Sequence, residues 1–462
     1  VTRLNRWIVV AAVLIAVLGS IAVAYGTAPL GTGDETAHLD YAVEVWHGHL
    51  PVFQRGLQIA PGFGVIPPVQ WVSQHPPLFY LLLAPVVGPL ADGGHWVAAV
   101  LAGRTENALL AGLTVVTTVW ATRRVVPSLP TVAAVAGVVT ALCGQALIVG
   151  GAIYNDLLTL VFTALAMGVA ASVIRRGATN RLIVLAALVT AGGMLSRLSF
   201  ATMLVAVVGS FVVAARTAPT VRREIGRRAV GIAAAVVAPG IAAGWFYLRN
   251  KRLTGTITGG HPAWSEEFLH RVTRPTGAVV VDPKFWRTIF DVYGFDLSPT
   301  SIVPWLLFLV PLLLAVVWLL LARRVTRPGI WIAVMIVAIV LVTAVVELRY
   351  VAGGGGPTPR YGLPLLPVLA GPMALGLVAV RLPDRWRSAR LVPAVLVGCW
   401  ILGAGAVAAV SISVAGVPGP PVAVLVTRVA YAALLAVVLV ATALAVRSVL
   451  RRAEPDPDRT LR

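Results

Sequence analysis

Acidic residues are scarce in this chain. Only 18 Asp and Glu stand against 37 Lys and Arg in 462 residues, a formal net charge of +19. Charged residues of both signs make up 12%, about half the share in an average soluble domain, so a water-soluble globular chain is excluded. The two cysteines, Cys143 and Cys399, each sit inside an apolar run. They offer no disulfide framework and no thiolate metal site. No internal repeat is present, and the one low-complexity patch is the glycine run 353–356, a flexible-loop signal. No basic stretch is interleaved with an aromatic platform, which excludes a nucleic-acid module. The positive charge instead suits anionic lipid headgroups at membrane edges.

What the chain has in abundance is apolar length. It is 58% hydrophobic, with a mean hydropathy of +0.88. At about 20 apolar residues per span, candidate spans fall at 7–26, 103–122, 132–151, 157–174, 182–195 and 199–215. Further candidates follow at 229–248, 302–322, 330–346, 361–380, 391–410 and 427–446. The expectation is an all-α polytopic membrane protein with about twelve transmembrane helices. The first run follows Arg3 and Arg6, and Ala22-Val23-Ala24 resembles a signal-peptide cleavage site. Its length and the many spans after it favour an uncleaved anchor.

Segment 76–91 is apolar but short and carries Pro76, Pro77, Pro85 and Pro89. Counting it as a span would reverse the side of everything after it, and arginine placement decides the matter. Without it, one side collects Arg3 and Arg6, Arg123 and Arg124, and Arg175, Arg176 and Arg181. The same side takes Arg216, Arg222, Arg223, Arg227 and Arg228, then Arg323, Arg324 and Arg327, then Arg381, Arg385, Arg387 and Arg390. The tail adds Arg447, Arg451, Arg452, Arg459 and Arg462. Together these are roughly two thirds of the 37 basic residues, concentrated in short loops where the positive-inside rule is strongest. Segment 76–91 is therefore read as a juxtamembrane or re-entrant helix, covered by protein.

The domain reading is a single transmembrane unit over 1–462. A first outer loop spans 27–102, a second outer loop 249–301, and a cytoplasmic tail 447–462. The unusual polar residues then gather on the outer face.

Gly33-Asp34-Glu35 and His38 open the first outer loop. Thr32 and Glu35 fit a capping box, and acids in a first helical turn favour the helix dipole. The segment after them reads as an amphipathic helix lying on the membrane, with Leu39, Ala42, Val43, Trp46 and Leu50 on one side. Either carboxylate alone would serve the dipole, which leaves Asp34 with less structural reason than Glu35. His38 shares Asp34's face one turn later, so the pair suits proton transfer or a divalent metal. His75 closes the same loop. Asn155-Asp156 suits a helix start. Arg197 lies on the outer side against the charge trend and needs an anionic partner. Arg349 and Arg360 flank the glycine run, where bidentate contact with phosphate is available. The second outer loop carries His261, Trp264, Glu266, Glu267, Trp286 and Asp291; aromatics among polar groups suit sugars, but tryptophan is also an ordinary interfacial anchor.

Taken together the chain resembles the GT-C superfamily of membrane glycosyltransferases, most closely the branch with protein O-mannosyltransferases and the aminoarabinose transferases of lipid A. The resembling pieces run in order over most of the chain: Gly33-Asp34-Glu35 with His38, His75-Pro76-Pro77-Leu78-Phe79-Tyr80, Arg104, Asn155-Asp156, Ser196-Arg197, and Arg360-Tyr361 with Pro364. The family commonly has a lysine-glycine pair where this chain has Arg197-Leu198, so that match is by position and charge. The resemblance implies a GT-C-like bundle with outer juxtamembrane helices and an inverting sugar transfer.

A site outside the membrane has no nucleotide sugars, so its donor would be a polyprenyl-phosphate-linked sugar. The acceptor would be a hydroxyl on a glycan, lipid or protein of the cell envelope. Asp34 is expected as catalytic base. Arg197 and Arg360 are expected as phosphate clamp, with Arg349 in reserve. Glu35 is grouped with Asp34 as a catalytic carboxylate that positions hydroxyls, as would Asp156. His38, His75, Tyr80 and Arg104 complete the substrate-binding set. No cofactor is required, with a divalent metal at Asp34, His38 or His75 as the alternative. The competing class is a transporter or flippase of a lipid-linked sugar, which would show charged groups inside several spans, matching broken helices and internal symmetry.

Overall fold

Within hydrocarbon a backbone must satisfy its own polar groups, and a helix does so within one segment. The computed structural model describes residues 3–294, 302–322, 325–380, 391–415 and 421–453. It is helical throughout, with no strand among the described residues. The helices are α1 (Arg3–Gly26), α2 (Gly33–Trp46), α3 (Leu78–Asp92), α4 (Trp96–Val125), α5 (Pro130–Ala141) and α6 (Gly144–Gly150). They continue as α7 (Asp156–Arg176), α8 (Asn180–Ser196), α9 (Ala201–Val212), α10 (Val221–Thr254), α11 (Pro262–Leu269) and α12 (Thr276–Val280). The last are α13 (Pro283–Phe290), α14 (Val303–Leu321), α15 (Arg327–Ala352), α16 (Leu366–Ala379), α17 (Val392–Ala415) and α18 (Pro421–Ala453). Short 3-10 turns lie at Phe53–Arg55, Leu198–Phe200 and Pro359–Leu365.

The protein is polytopic. Each of the twelve expected segments falls on a helix, yet eight helices are by themselves long and apolar enough to cross a membrane, or nine if the bent pair α5–α6 is one span. The shortfall has physical causes. Helix α4 is loaded with Arg104, Glu106, Asn107 and several threonines, while α8 and α9 have 17 and 12 residues. Helix α3 has 15 residues with Pro85 and Pro89 inside, short for a span. The expected arginines at 323, 324, 381, 385, 387, 390, 459 and 462 lie outside the described residues, as do 295–301 of the second long loop and the tail beyond 453.

Helix α7 is the most enclosed of the eight spanning helices, whereas α10, α14 and α15 turn most of their surface outward. The pair α5–α6 bends by 61°. The groups freed by the bend are bound by protein: Val292 O accepts from Gln145 N at 3.0 Å and from Cys143 Sγ at 3.1 Å, and Tyr293 OH donates to Val139 O at 2.8 Å. The break thus anchors the end of the second long loop.

Helix α2 departs from the expectation of a helix lying amphipathically on the membrane. It is buried on nearly all sides, enclosed by α3 and the 47–77 loop. Its polar residues are satisfied inside. Asp40, fully buried, accepts from Gln58 N at 2.6 Å, Ile59 N at 3.0 Å and Gln70 Nε2 at 2.6 Å.

Candidate active site

The start of α2 is built by close approach. Thr32 Oγ1 accepts from Glu35 N at 3.2 Å and bonds Tyr154 OH at 2.9 Å. At position 33 a Cβ would meet Trp71 Cζ2 at 2.7 Å, so only glycine lets the loop close over this turn.

Asp34 and Glu35, adjacent in sequence, have unlike surroundings. Glu35 is 2% exposed. Its Oε1 accepts from Arg104 Nε at 2.7 Å and from Ile153 N at 3.2 Å, and its Oε2 accepts from Arg104 Nη2 at 2.8 Å. Arg104 spends its remaining donors on Ala24 O at 2.6 Å, Thr27 O at 3.0 Å and Ala28 O at 2.8 Å. These carbonyls close the C-terminal end of α1, where a cation is favoured. The expectation of Glu35 and Arg104 at the substrate is therefore corrected: together they form a buried clasp holding α1, α2 and α4.

Asp34 keeps 35% of its side chain exposed. Arg360 Nη1 donates to Asp34 Oδ2 at 2.9 Å, and Arg360 Nε lies 3.6 Å from Asp156 Oδ2. Asp156 Oδ1 is bonded in turn by Arg197 Nη1. This gives an alternating array, Asp34–Arg360–Asp156–Arg197, in which all but Asp34 are nearly enclosed. Its members come from element ends: the start of α2, the turn Pro359–Leu365, the start of α7 and the end of α8. The turn is fixed by Thr358, whose Oγ1 accepts from Arg360 N at 3.4 Å. Gly362 allows it to seat on α13, since a Cβ there would meet Ile289 O at 2.3 Å.

Aromatic rings surround the cations. The Arg360 guanidinium lies 4.7 Å from the Tyr154 ring and 5.8 Å from that of Tyr361, and Arg197 lies 5.9 Å from Tyr361. Such contacts hold a cation in place without neutralising it. His38 and His75 stack at 5.8 Å, and Tyr154 meets His38 edge-on at 5.4 Å. Burial pulls both histidines well below the ordinary imidazole range. Arg360 and then Arg197 add to this at His38, and Arg197 leads the added charges at His75. Both rings are neutral near pH 7. His38 Nδ1 bonds Tyr80 OH at 2.8 Å, while its Nε2 is buried with no partner.

Tyr80 was grouped with the substrate-binding residues, but it is fully buried, stacked on Tyr41 at 3.5 Å and tied to His38. Its place is that of a support. Arg349 is exposed. The register of α15 turns Glu347 and Val351 inward and position 349 outward, so the reserve cation does not join the array. Two residues outside the expected set, Tyr154 and Tyr361, line it. A signal for the first was its place beside Asn155-Asp156.

The divalent metal was the alternative expectation. Among the described residues no group of three or more His, Cys, Asp and Glu side chains could hold one. Asp34 is paired with Arg360, and Asp156 with Arg197.

No family model matches the chain, and no curated protein matches it. Solved structures do. ArnT from Cupriavidus metallidurans bound to undecaprenyl phosphate is 14% identical with a TM-score of 0.55, over 97% of this chain and 77% of that one. AglB, the oligosaccharyltransferase of Archaeoglobus fulgidus, in complex with an inhibitory peptide and a dolichol-phosphate, is 13% identical with a TM-score of 0.52, over 91% and 57%. The same oligosaccharyltransferase in complex with Zn and sulfate is 16% identical with a TM-score of 0.50, over 89% and 54%. The chain spans little more than half the length of the archaeal enzyme. At these identities the likeness is one of fold, shared with ArnT and the archaeal oligosaccharyltransferase.

Proposed function

We propose that this GT-C fold carries a glycosyltransferase, one that moves a sugar from a polyprenyl-phosphate-linked donor to a hydroxyl acceptor on the extracytoplasmic face of a membrane. The observation that carries the reading is the alternating array, with one carboxylate open and two arginines enclosed beside it. Its two carboxylates and two guanidinium groups hold one another in place, so a phosphate entering the array exchanges one anion for another. It displaces Asp34 from Arg360 and leaves that carboxylate free.

The chemistry balances with these residues alone. The acceptor hydroxyl gives its proton to Asp34, and its oxygen forms the new bond to the anomeric carbon. The bond from that carbon to the phosphate oxygen breaks on the opposite side, which inverts the configuration. The phosphate keeps the electron pair and remains against Arg360 and Arg197. A positioned base contributes about 10²–10⁴-fold, and each donor aimed at developing negative charge is worth roughly 3–4 kcal/mol. Arginine suits the second task through its planar fork. Asp156 keeps the two guanidinium groups apart and oriented, and neutral His38 and His75 add no further positive charge beside them.

Two similar structures hold a polyprenyl phosphate, undecaprenyl in ArnT and dolichol in AglB, which supports a lipid-phosphate donor. The arginine distribution supports an extracytoplasmic site, where a lipid-linked sugar is the accessible donor. Glycan, lipid and protein hydroxyls all fit a base that is one third open.

The test is Asp34→Asn in proteoliposomes with undecaprenyl-phosphate-linked sugars. Transfer should fall by at least about 10²-fold with thermal unfolding unchanged. Transfer at the wild-type rate would remove Asp34 as the base.

A further inference from the structure

Helix α15 packs against α7, α9 and the turn Pro359–Leu365, and its buried stripe runs through Ile332, Met335, Ile339, Thr343, Glu347 and Val351. The stripe is apolar until its last turns, where it becomes polar. Thr343 Oγ1 and Glu347 Oε2 are both buried with no hydrogen-bond partner. Glu347 is 8% exposed, and an enclosed, unpartnered carboxylate oxygen is rare enough to need a reason. Its helix packs on α7, which opens with Asp156, and on the turn that carries Arg360, and Glu347 is among the charges that act on Arg197. Yet among the described residues no ion pair within 4.0 Å joins them. The acid and the cation thus act on each other without an ion pair. Two more unpartnered groups border the array, Asn155 Oδ1 and Ser199 Oγ. Asp34, Arg197 and Arg360 also act on the neighbouring His75.

We propose that Glu347 is a substrate-contacting residue that accepts hydrogen bonds from hydroxyls of the transferred sugar, and so contributes to sugar selection. This rests on the reading of the array as a glycosyl-transfer site. The chemistry selects the occupant. A carboxylate repels a phosphate, so Glu347 does not belong to the clamp. It accepts and does not donate when ionised, which suits a polyol or an amino sugar. The acceptor enters at the open carboxylate, Asp34, whereas Glu347 is enclosed. A ring whose anomeric carbon lies between Asp34 and the clamp would turn its remaining hydroxyls toward Glu347. Without that ring, Glu347 Oε2 lacks a partner.

The experiment uses the full chain in nanodiscs and two probes: undecaprenyl phosphate, and a panel of undecaprenyl-phosphate-linked mannose, glucose and arabinose. Glu347→Gln keeps the shape and removes the charge, and Glu347→Ala removes the group. Thermal unfolding of both reports folding. We expect each variant to bind the best sugar-bearing probe roughly 10- to 100-fold more weakly, the range of a lost hydrogen bond to a charged group. Undecaprenyl phosphate itself should bind within about twofold of wild type. Equal weakening of both probes would place Glu347 behind Arg197 and overturn the proposal, as would no change in either. A wild-type chain that binds undecaprenyl phosphate and gains nothing from any sugar overturns the sugar contact alone. One that binds neither probe overturns the transferase reading together with it.

Discussion

Replacing Glu35 and Arg104 separates the buried clasp from the open base by stability alone. In Glu35→Ala the Arg104 guanidinium, 2% exposed, loses both bonds to its counterion. Breaking a buried pair by removing one partner costs about 3–5 kcal/mol. The lower end applies here, because Ala24 O, Thr27 O and Ala28 O still accept from the cation. Arg104→Met is worse. It strands Glu35 with Ile153 N as its remaining partner and also strips the α1 carbonyls of their donor, at roughly 1–3 kcal/mol for each that stays buried. The order expected is therefore Arg104→Met below Glu35→Ala below wild type. The combined Glu35→Ala/Arg104→Met protein should be no better than Glu35→Ala, since those carbonyls stay unpaired. Many buried ion pairs behave otherwise, their apolar replacement being close to neutral. Asp34→Asn, at a pair with one partly open member, should lie within about 1 kcal/mol of wild type. Unfolding of purified protein in one detergent, by heat and by denaturant, measures all four. A Glu35→Ala protein as stable as wild type, or a combined protein restored to it, would refute the clasp.

Acid should act through the histidine pair. His38 and His75 titrate well below their unfolded range, so beneath about pH 6.5 the unfolded chain binds more protons and stability falls as pH falls. Each contributes up to about 1.4 kcal/mol per pH unit. Glu44, pushed up to about 7 by burial and by Asp40 beside it, acts in the opposite sense. The measurement is therefore the difference between wild type and the His38→Asn/His75→Asn protein across pH 5–8; parallel curves would refute it. Topology is read with Ile66→Cys, half exposed in the first long loop, in a Cys399→Ser background because Cys399 is exposed. An impermeant maleimide should label position 66 in intact cells and Arg176→Cys only after permeabilisation, and the reverse pattern would invert the arginine-based assignment.

The helices were legible because an apolar run of about 20 residues has one solution in hydrocarbon, although among the described residues eight of them, or nine with the bent pair, are long and apolar enough to span. Arg197 was legible for a related reason: a charge against the local trend needs a partner, and Asp156 supplies it; Asp34, Asp156 and Arg360 were legible from the motifs that carry them. Helix α2 misled because Leu39, Ala42, Val43 and Trp46 read as the single apolar face of a surface helix. The 47–77 loop brings backbone N–H groups and Gln70 to Asp40, a contact that helical periodicity does not encode. Glu347 was hidden by its surroundings: at the last turns of an apolar stripe it reads as the membrane edge, and only the packing of α15 on α7 and α9 turns it inward.

The division of labour between Asp34 and Glu35 follows from helix geometry. Successive residues on a helix point about 100° apart, so two adjacent carboxylates on an enclosed helix cannot share one environment. Glu35 points toward α4, where Arg104 meets it in a bidentate pair and closes the end of α1 in the same set of bonds. Asp34 is thereby turned to the side where the turn Pro359–Leu365 delivers Arg360. The clasp cannot act as base, since both its oxygens are bound at 2% exposure. Nor can Asp34 serve as clasp under the proposed mechanism, in which it is released when phosphate takes Arg360. An acid pair at a helix start with one member fixed and one open is thus a single device, in which the proposed part of Glu35 is to aim Asp34. Substituting Glu35 should lower activity in step with folding, whereas substituting Asp34 should lower activity with folding intact.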